Sequence, residues 1–278
     1  MRARRALLAV LPVVLLGLGL AGVGVAAPAG AVAVAGGFTC TGDFSNIPSS
    51  AEVVPAGTYA SLTTPPGTAC FVDGDVVVNG PVTLGQASGL GLVSGSLTVN
   101  GKVAVGDGAS LGDAGGGQPP ITVNGPLFID PNGLVFVLGP GAISGGVHAS
   151  APSGVTLFDL QIGGPVQILG GGGDNPVQDV LGNTNYQSVY LGQNVISGPV
   201  TENGYAGAGD DGTGSFVGFD HTAGPMTVIN NTVASVLVQS NVVDGPAICS
   251  GNNPPPQDLG SSTVTGPIKG SQGQQCFS

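Results

Sequence analysis

The chain has 278 residues, with 52 Gly, 22 Pro, no Trp and 8% charged residues, and its five basic residues face 16 acids for a net charge of −11. Such a balance makes nucleic acid and anionic membranes poor partners. The 41% apolar content sets the chain apart from low-complexity disorder, because that fraction in a strand pattern suffices for a core.

Residues 1–35 have the layout of a signal peptide. Arg2, Arg4 and Arg5 lead an apolar run from Ala6 to Ala27, followed by small-residue sites such as Ala33-Val34-Ala35. The expected product is a secreted, extracellular protein that begins near Gly36; the alternative is a membrane anchor formed by an uncleaved N-terminal segment. Cleavage leaves Lys102 and Lys269 against all 16 acids, a balance of −14. The mature chain, 36–278, is read as a single domain: a cap and first rung over 36–79, rungs over 80–248 and a C-terminal cap over 249–278. Cys40 and Cys70 precede the first repeat and Cys249 and Cys276 lie across the last. An even cysteine count in an exported chain implies two disulfides, and pairing within each end is the natural choice among three.

From residue 78 onward one phrase recurs nine times: an aliphatic residue, any residue, Gly, usually Pro, then another aliphatic. Its glycines are Gly80, Gly101, Gly125, Gly145, Gly164, Gly198, Gly224, Gly245 and Gly266, in steps of 21, 24, 20, 19, 34, 26, 21 and 21. A fixed period of this length marks a stacked solenoid. Within each copy the apolar residues alternate, as in Val76, Val78, Val82 and Leu84, which is the period of a half-buried strand. Proline cannot donate to a sheet and glycine adopts angles other residues cannot, so Gly-Pro predicts a corner between two strands.

These features predict an all-β fold, a right-handed parallel β-helix of about 21 residues per rung with nine or ten rungs. A left-handed hexapeptide helix would need turns of roughly 18 residues. A β-sandwich shares the short strands but does not explain one phrase recurring in phase. Stacking predicts a ladder of Asn79, Asn100 and Asn124, and a spacing of 11 relates Asn183 to Asn194 and joins Asn230, Asn241 and Asn252, suggesting two half-turns per rung. The long steps hold Gly-rich segments, Asp113 to Gly117, Gly170 to Asp174 and Gly204 to Gly214. They are expected as loops hung on the stack, the usual place for function in a repeat protein.

The tail resembles secreted β-helix repeat proteins of high-GC Gram-positive bacteria. The matching pieces are Gly182-Asn183-Thr184, Asn231-Thr232-Val233, Thr263-Val264-Thr265-Gly266, Cys249 to Pro254 and Gly270 to Cys276. The resemblance implies fold and export, and no established activity. A more distant likeness to the pectin-lyase-like β-helix superfamily raises the question of catalysis. Asn183-Thr184-Asn185, Gly209-Asp210-Asp211, His221 and Ile268-Lys269 follow the order of polygalacturonase motifs, but Asn185 stands where Asp is expected and the final Arg is missing.

A lyase would need a cationic base, and the mature chain has no Arg and two distant lysines. A hydrolase would need paired carboxylates, for which Asp210, Asp211 and Asp220, with His221 assisting, are the candidates. Calcium is a weak candidate cofactor through Asp174, Asp210 and Asp211, with Asp73 and Asp75 of the same kind. Ser110, in a Gly-x-Ser-x-Gly pattern, lacks the strand-turn-helix context of a nucleophile elbow and is read as a rung residue; His148 is read as a surface side chain. Gly89-Leu90-Gly91 and the Gly170 cluster lack the Lys-Ser/Thr ending of a phosphate loop, so no nucleotide is expected. Tyr186, Tyr190 and Tyr205, with Phe216 and Phe219, are weak ligand-binding candidates, since aromatics beside carboxylates suit a neutral glycan. The leading expectation is therefore a non-catalytic structural or interaction protein of the cell envelope or extracellular glycans, with self-association as another partner mode and a loop-carboxylate hydrolase as the alternative.

Overall fold

The computed structural model describes residues 32–33, 36–47, 49–113, 119–172, 188–207, 214–260 and 262–270. All lie in one compact unit, Ala31–Ser278. The fold is an all-β solenoid of about ten turns. Helix among the described residues is confined to a single 3-10 turn, Phe44–Asn46, opened by the Asp43 side chain, which accepts from the Ser45 amide at 2.8 Å.

Each turn contributes three strand segments rather than the two expected. Val189–Gly192 and Val195–Ile196 belong to a 17-stranded sheet, and Val200–Asn203 belongs to an 11-stranded sheet. In early turns the first two segments run on as one bent strand, as in Ala69–Val78 and Gly89–Val99. The bend carries Gly74 at φ 120° and Gly95 at φ 75°, angles that L side chains avoid. Every pairing between these strands is parallel, which excludes a sandwich of hairpins.

Third-segment strands stack in register as Leu62, Val82, Val103, Leu127, Val147, Val166, Val200, Met226, Ala247 and Ile268. The offsets between successive turns match the steps between the repeat glycines, including the 34-residue step from Val166 to Val200. Long steps thus leave the register of the stack unbroken. Inside, Val82, Val103, Leu127, Val147, Val166 and Val200 are all at most 1% exposed, and these aliphatic columns supply the burial that holds the coil together.

The repeat glycines are required by proximity, not by unusual backbone angles. None of the nine has a positive φ. A Cβ on Gly101 would lie 2.6 Å from the Gly80 carbonyl oxygen, and one on Gly125 would lie 2.6 Å from that of Gly101. The same holds at the far end, where a Cβ on Gly266 would meet Gly245 C and Pro246 N at 2.5 Å. Each corner therefore rests on the backbone of the corner one turn before it. Just ahead of these glycines the expected amide ladder is present: Asn100 donates to Asn79 at 3.0 Å and Asn124 to Asn100 at 2.8 Å.

Spacing by 11 does not mark a single ladder. Asn241 belongs to one buried column and Asn252 stacks on Asn231, while Asn230 donates to Asn203 on the exposed side; Asn183 lies outside the described residues. At the N-terminal end Cys40 and Cys70 form a buried disulfide across 30 residues. Cys249 is also disulfide-bonded, and Cys276 lies outside the described residues.

Two consequences can be measured by denaturant unfolding. Gly101→Ala and Gly125→Ala force a methyl into backbone and are expected to lower stability by about 2–3 kcal/mol each. Gly36→Ala, whose new methyl meets nothing within 4 Å, should change it by less than about 0.5 kcal/mol. Replacing Cys40 and Cys70 together by Ala should cost about 3–4 kcal/mol through the loop it opens.

Candidate functional site

Sequence patterns direct attention to the rungs around the two longest steps. Of the residues singled out there, Asp174, Tyr186, Asp210 and Asp211 lie outside the described residues. The others have distinct fates, and the carboxyl of Asp220 is the most informative.

Asp220 is 1% exposed and forms one step of a polar column at the turn between the first and second strand segments. The backbone amide of each member donates to the side chain of the next turn: Leu160 N to Asn194 Oδ1 at 3.1 Å, Asn194 N to Asp220 Oδ1 at 2.8 Å, Asp220 N to Asn241 Oδ1 at 3.1 Å and Asn241 N to Ser262 Oγ at 3.1 Å. The asparagines also donate from Nδ2 back to a strand carbonyl, Asn194 to Leu157 at 2.9 Å and Asn241 to Val217 at 3.0 Å. In register Leu191 lies between Leu157 and Val217, so the Leu191 carbonyl is the acceptor that the ladder pattern assigns to position 220. An ionised Asp has no donor to offer it, and Asp220 Oδ2 is buried without a partner. Burial pushes this carboxyl up to about 7, against the hydrogen bonds from Asn194 that pull it down. Asp220 thus occupies an asparagine position of the fold, and a proton on Oδ2 supplies the donor that the asparagines carry as Nδ2.

A second buried acid was not among the sequence candidates. Glu202 is fully buried in an inward column between Ile168 and Val228. Its Oε2 accepts from Ser215 Oγ at 2.9 Å and its Oε1 has no partner. Burial again dominates, raising it to about 7 although Ser215 lowers it. A signal existed: four residues past the repeat glycine the other repeats place Leu84, Val105, Ile129, Ala149, Ile168, Val228, Cys249 and Gly270, whereas this one places Glu.

Tyr205 is fully buried, its hydroxyl donating to the Ser153 carbonyl and its amide to Asn231 Oδ1 at 2.9 Å. It is a core residue with no face turned to solvent. Tyr190 lies on the outer surface, stacked on Phe216 with centroids 4.7 Å apart and 6.1 Å from Phe158. These rings lean over Gly192 and Gly218, where an added Cβ would meet Tyr190 Cε1 at 2.9 Å and Phe216 Cζ at 2.5 Å. Stacking uses ring faces that a sugar would need. His221 is exposed, with Nε2 3.1 Å from Asp244 Oδ2.

The remaining candidates serve the rungs. Asp73 and Asp75 accept from Ser94 and Ser96 at 2.5 and 2.8 Å across the strand bend. Ser110 is a buried rung residue. His148 stacks on Phe128 at 5.4 Å and lines, with Asp130, Ser150, Gln167 and Leu169, a shallow depression of about 180 Å³, below the size of ordinary ligand pockets. Lys269 lies in the strand Ile268–Gly270, just past its corner. Among the described residues no three His, Cys, Asp or Glu side chains are grouped to hold a metal ion. No protein-family model, curated protein or solved structure matches the chain.

The two raised carboxyls set a pH dependence. Between about pH 4 and 7 the unfolded chain ionises these groups while the folded chain keeps their protons, so stability falls as pH rises through that window and levels off above it. Each group contributes a loss on the order of 3–4 kcal/mol by pH 8. Asp220→Asn restores the missing donor, and chemical denaturation should find it about 2–4 kcal/mol more stable than the parent at pH 8 but nearly equal at pH 4.

Proposed function

We propose that the chain is an exported, non-catalytic β-solenoid with a structural or interaction role at the cell envelope or on extracellular glycans. In this reading it stands with the secreted β-helix proteins that its tail resembles, and more distantly with right-handed solenoids of the pectin-lyase type. The observation that carries the reading is the use made of Asp220. A hydrolytic pair needs one carboxyl held protonated and another ionised, both open to a glycosidic oxygen. Asp220 has the raised pKa of such an acid, but its accessible surface is 1% and its Oδ1 is committed to Asn194. The perturbation follows from its place in the ladder. His221, the assisting residue of the hydrolase alternative, is engaged by Asp244. Export is supported by the basic and apolar leader and by a disulfide at Cys40–Cys70.

Two measurements test the reading. N-terminal sequencing of protein from a culture supernatant is expected to begin near residue 36; full-length chain in the cytosol would contradict export. Incubation with neutral and acidic polysaccharides is expected to release no reducing ends. Turnover that disappears in Asp210→Asn or Asp211→Asn would establish the hydrolase instead.

A further inference from the structure

Ahead of the Asn194, Asp220 and Asn241 ladder runs a column of residues in the left-handed backbone region. Its members are Asp159 (φ 55°), Gln193 (φ 58°), Phe219 (φ 59°) and Ser240 (φ 51°), one per turn. Short polar residues are the side chains that tolerate this region, and a bulky aromatic there is an outlier. Phe219 is only half-buried in return, with 49% of its surface exposed. It also differs from the other surface aromatics. Phe158, Tyr190 and Phe216 occupy one another, and Phe128 is stacked on His148, whereas Phe219 has no ring partner among the described residues. Strain at a half-exposed side chain with no ring partner points to a role outside the fold.

The surroundings of Phe219 define what it meets. Beside its column runs another outward row, Val195, His221 and Val242, with Val195 50% and Val242 39% exposed. One turn to either side of Phe219 stand Gln193 and Ser240, and Asp159 lies a further turn away, so residues bearing amide, hydroxyl and carboxylate groups flank a half-exposed aromatic side chain. An apolar ring bordered by such groups matches a sugar, which offers C–H bonds to the ring and hydroxyls to its rim. Charge narrows the class: with Asp159 and Asp244 nearby, His221 already paired to Asp244 and no lysine or arginine between residues 103 and 268, an anionic polymer would meet uncompensated carboxylates.

We propose that Phe219, with Gln193 and Ser240 on the adjacent turns, forms a contact site for an uncharged glycan. The inference rests on the glycan-interaction reading above and names the surface that performs it. Exposed aromatic contacts are lost with the ring, so an Asn at this position, which suits the left-handed backbone, removes the ligand contact while easing the fold.

Affinity electrophoresis of the mature protein in gels containing a soluble β-1,4-glucan derivative without charge, an α-1,4-glucan or a mannan, with polygalacturonate as the anionic control, tests the site. The expected result is retardation by at least one neutral polymer, binding weakened roughly tenfold or more in Phe219→Asn, and binding retained in Phe219→Tyr. Thermal unfolding should show Phe219→Asn at least as stable as the parent. Equal retardation of the parent and Phe219→Asn would overturn the site while leaving glycan binding in place. Absence of retardation in every neutral gel would overturn both the site and the reading on which it rests. Retardation by polygalacturonate alone would overturn the uncharged class.

Discussion

The structure depends on how closely one turn's corner rests on the next. Parallel strands repeat at about 4.8 Å, and at the Gly-Pro corner the backbone of one turn fills the space where the following turn's Cβ would be. At Gly125 that space ends 2.6 Å from the Gly101 carbonyl oxygen. Only glycine lets the corners stack at the pitch that the strand hydrogen bonds demand. Once nine corners obey that constraint, the flanking aliphatic residues fall into vertical columns and the core follows. The same register holds across the 34-residue step, where Val166 pairs with Val200.

Columns that cross many turns make each side chain answer to its neighbours above and below. Asn suits the inner ladders because it accepts from one turn and donates to another. Asp220 keeps the acceptor and loses the donor, and Glu202 brings a carboxyl into a column of aliphatics; both are raised to about 7 by burial. In an isolated pocket such carboxyls would invite a catalytic reading. In a ladder the same perturbation is what an Asp in an Asn position produces, and it lowers stability at neutral pH.

Much of the architecture was legible because the repeat is both a spacing and a chemistry. The phrase around Gly80 to Gly266 located the corners, its steps gave the register, and alternation in Val76 to Leu84 named the inward residues. The Asn79, Asn100 and Asn124 ladder followed from the same phase. The third strand segment was not legible, because the bends at Asp73-Gly74-Asp75 and Ser94-Gly95-Ser96 look like strand interruptions until pairing shows them stacked. The role of the corner glycine was misread as conformational, since close approach between residues 21 or 24 apart leaves no local trace. Asp220 drew attention as one of a cluster of acids near His221, and only register shows that it shares a column with Asn194 and Asn241. Glu202 was detectable as the acid in a series of apolar positions, a signal that emerges when copies are compared position by position.

Distance along the stack tests the central claim most directly. Thr83 and Thr227 occupy the same outward column six turns apart, through Ala104, Phe128, His148, Gln167 and Thr201. Spin labels on cysteines introduced at Thr83 and Thr227 should therefore report, by pulsed dipolar spectroscopy, a narrow distribution centred near about 29 Å, six times the strand spacing of about 4.8 Å. A broad distribution, or one centred well beyond that value, would show that the long insertions break the stack and would contradict the account.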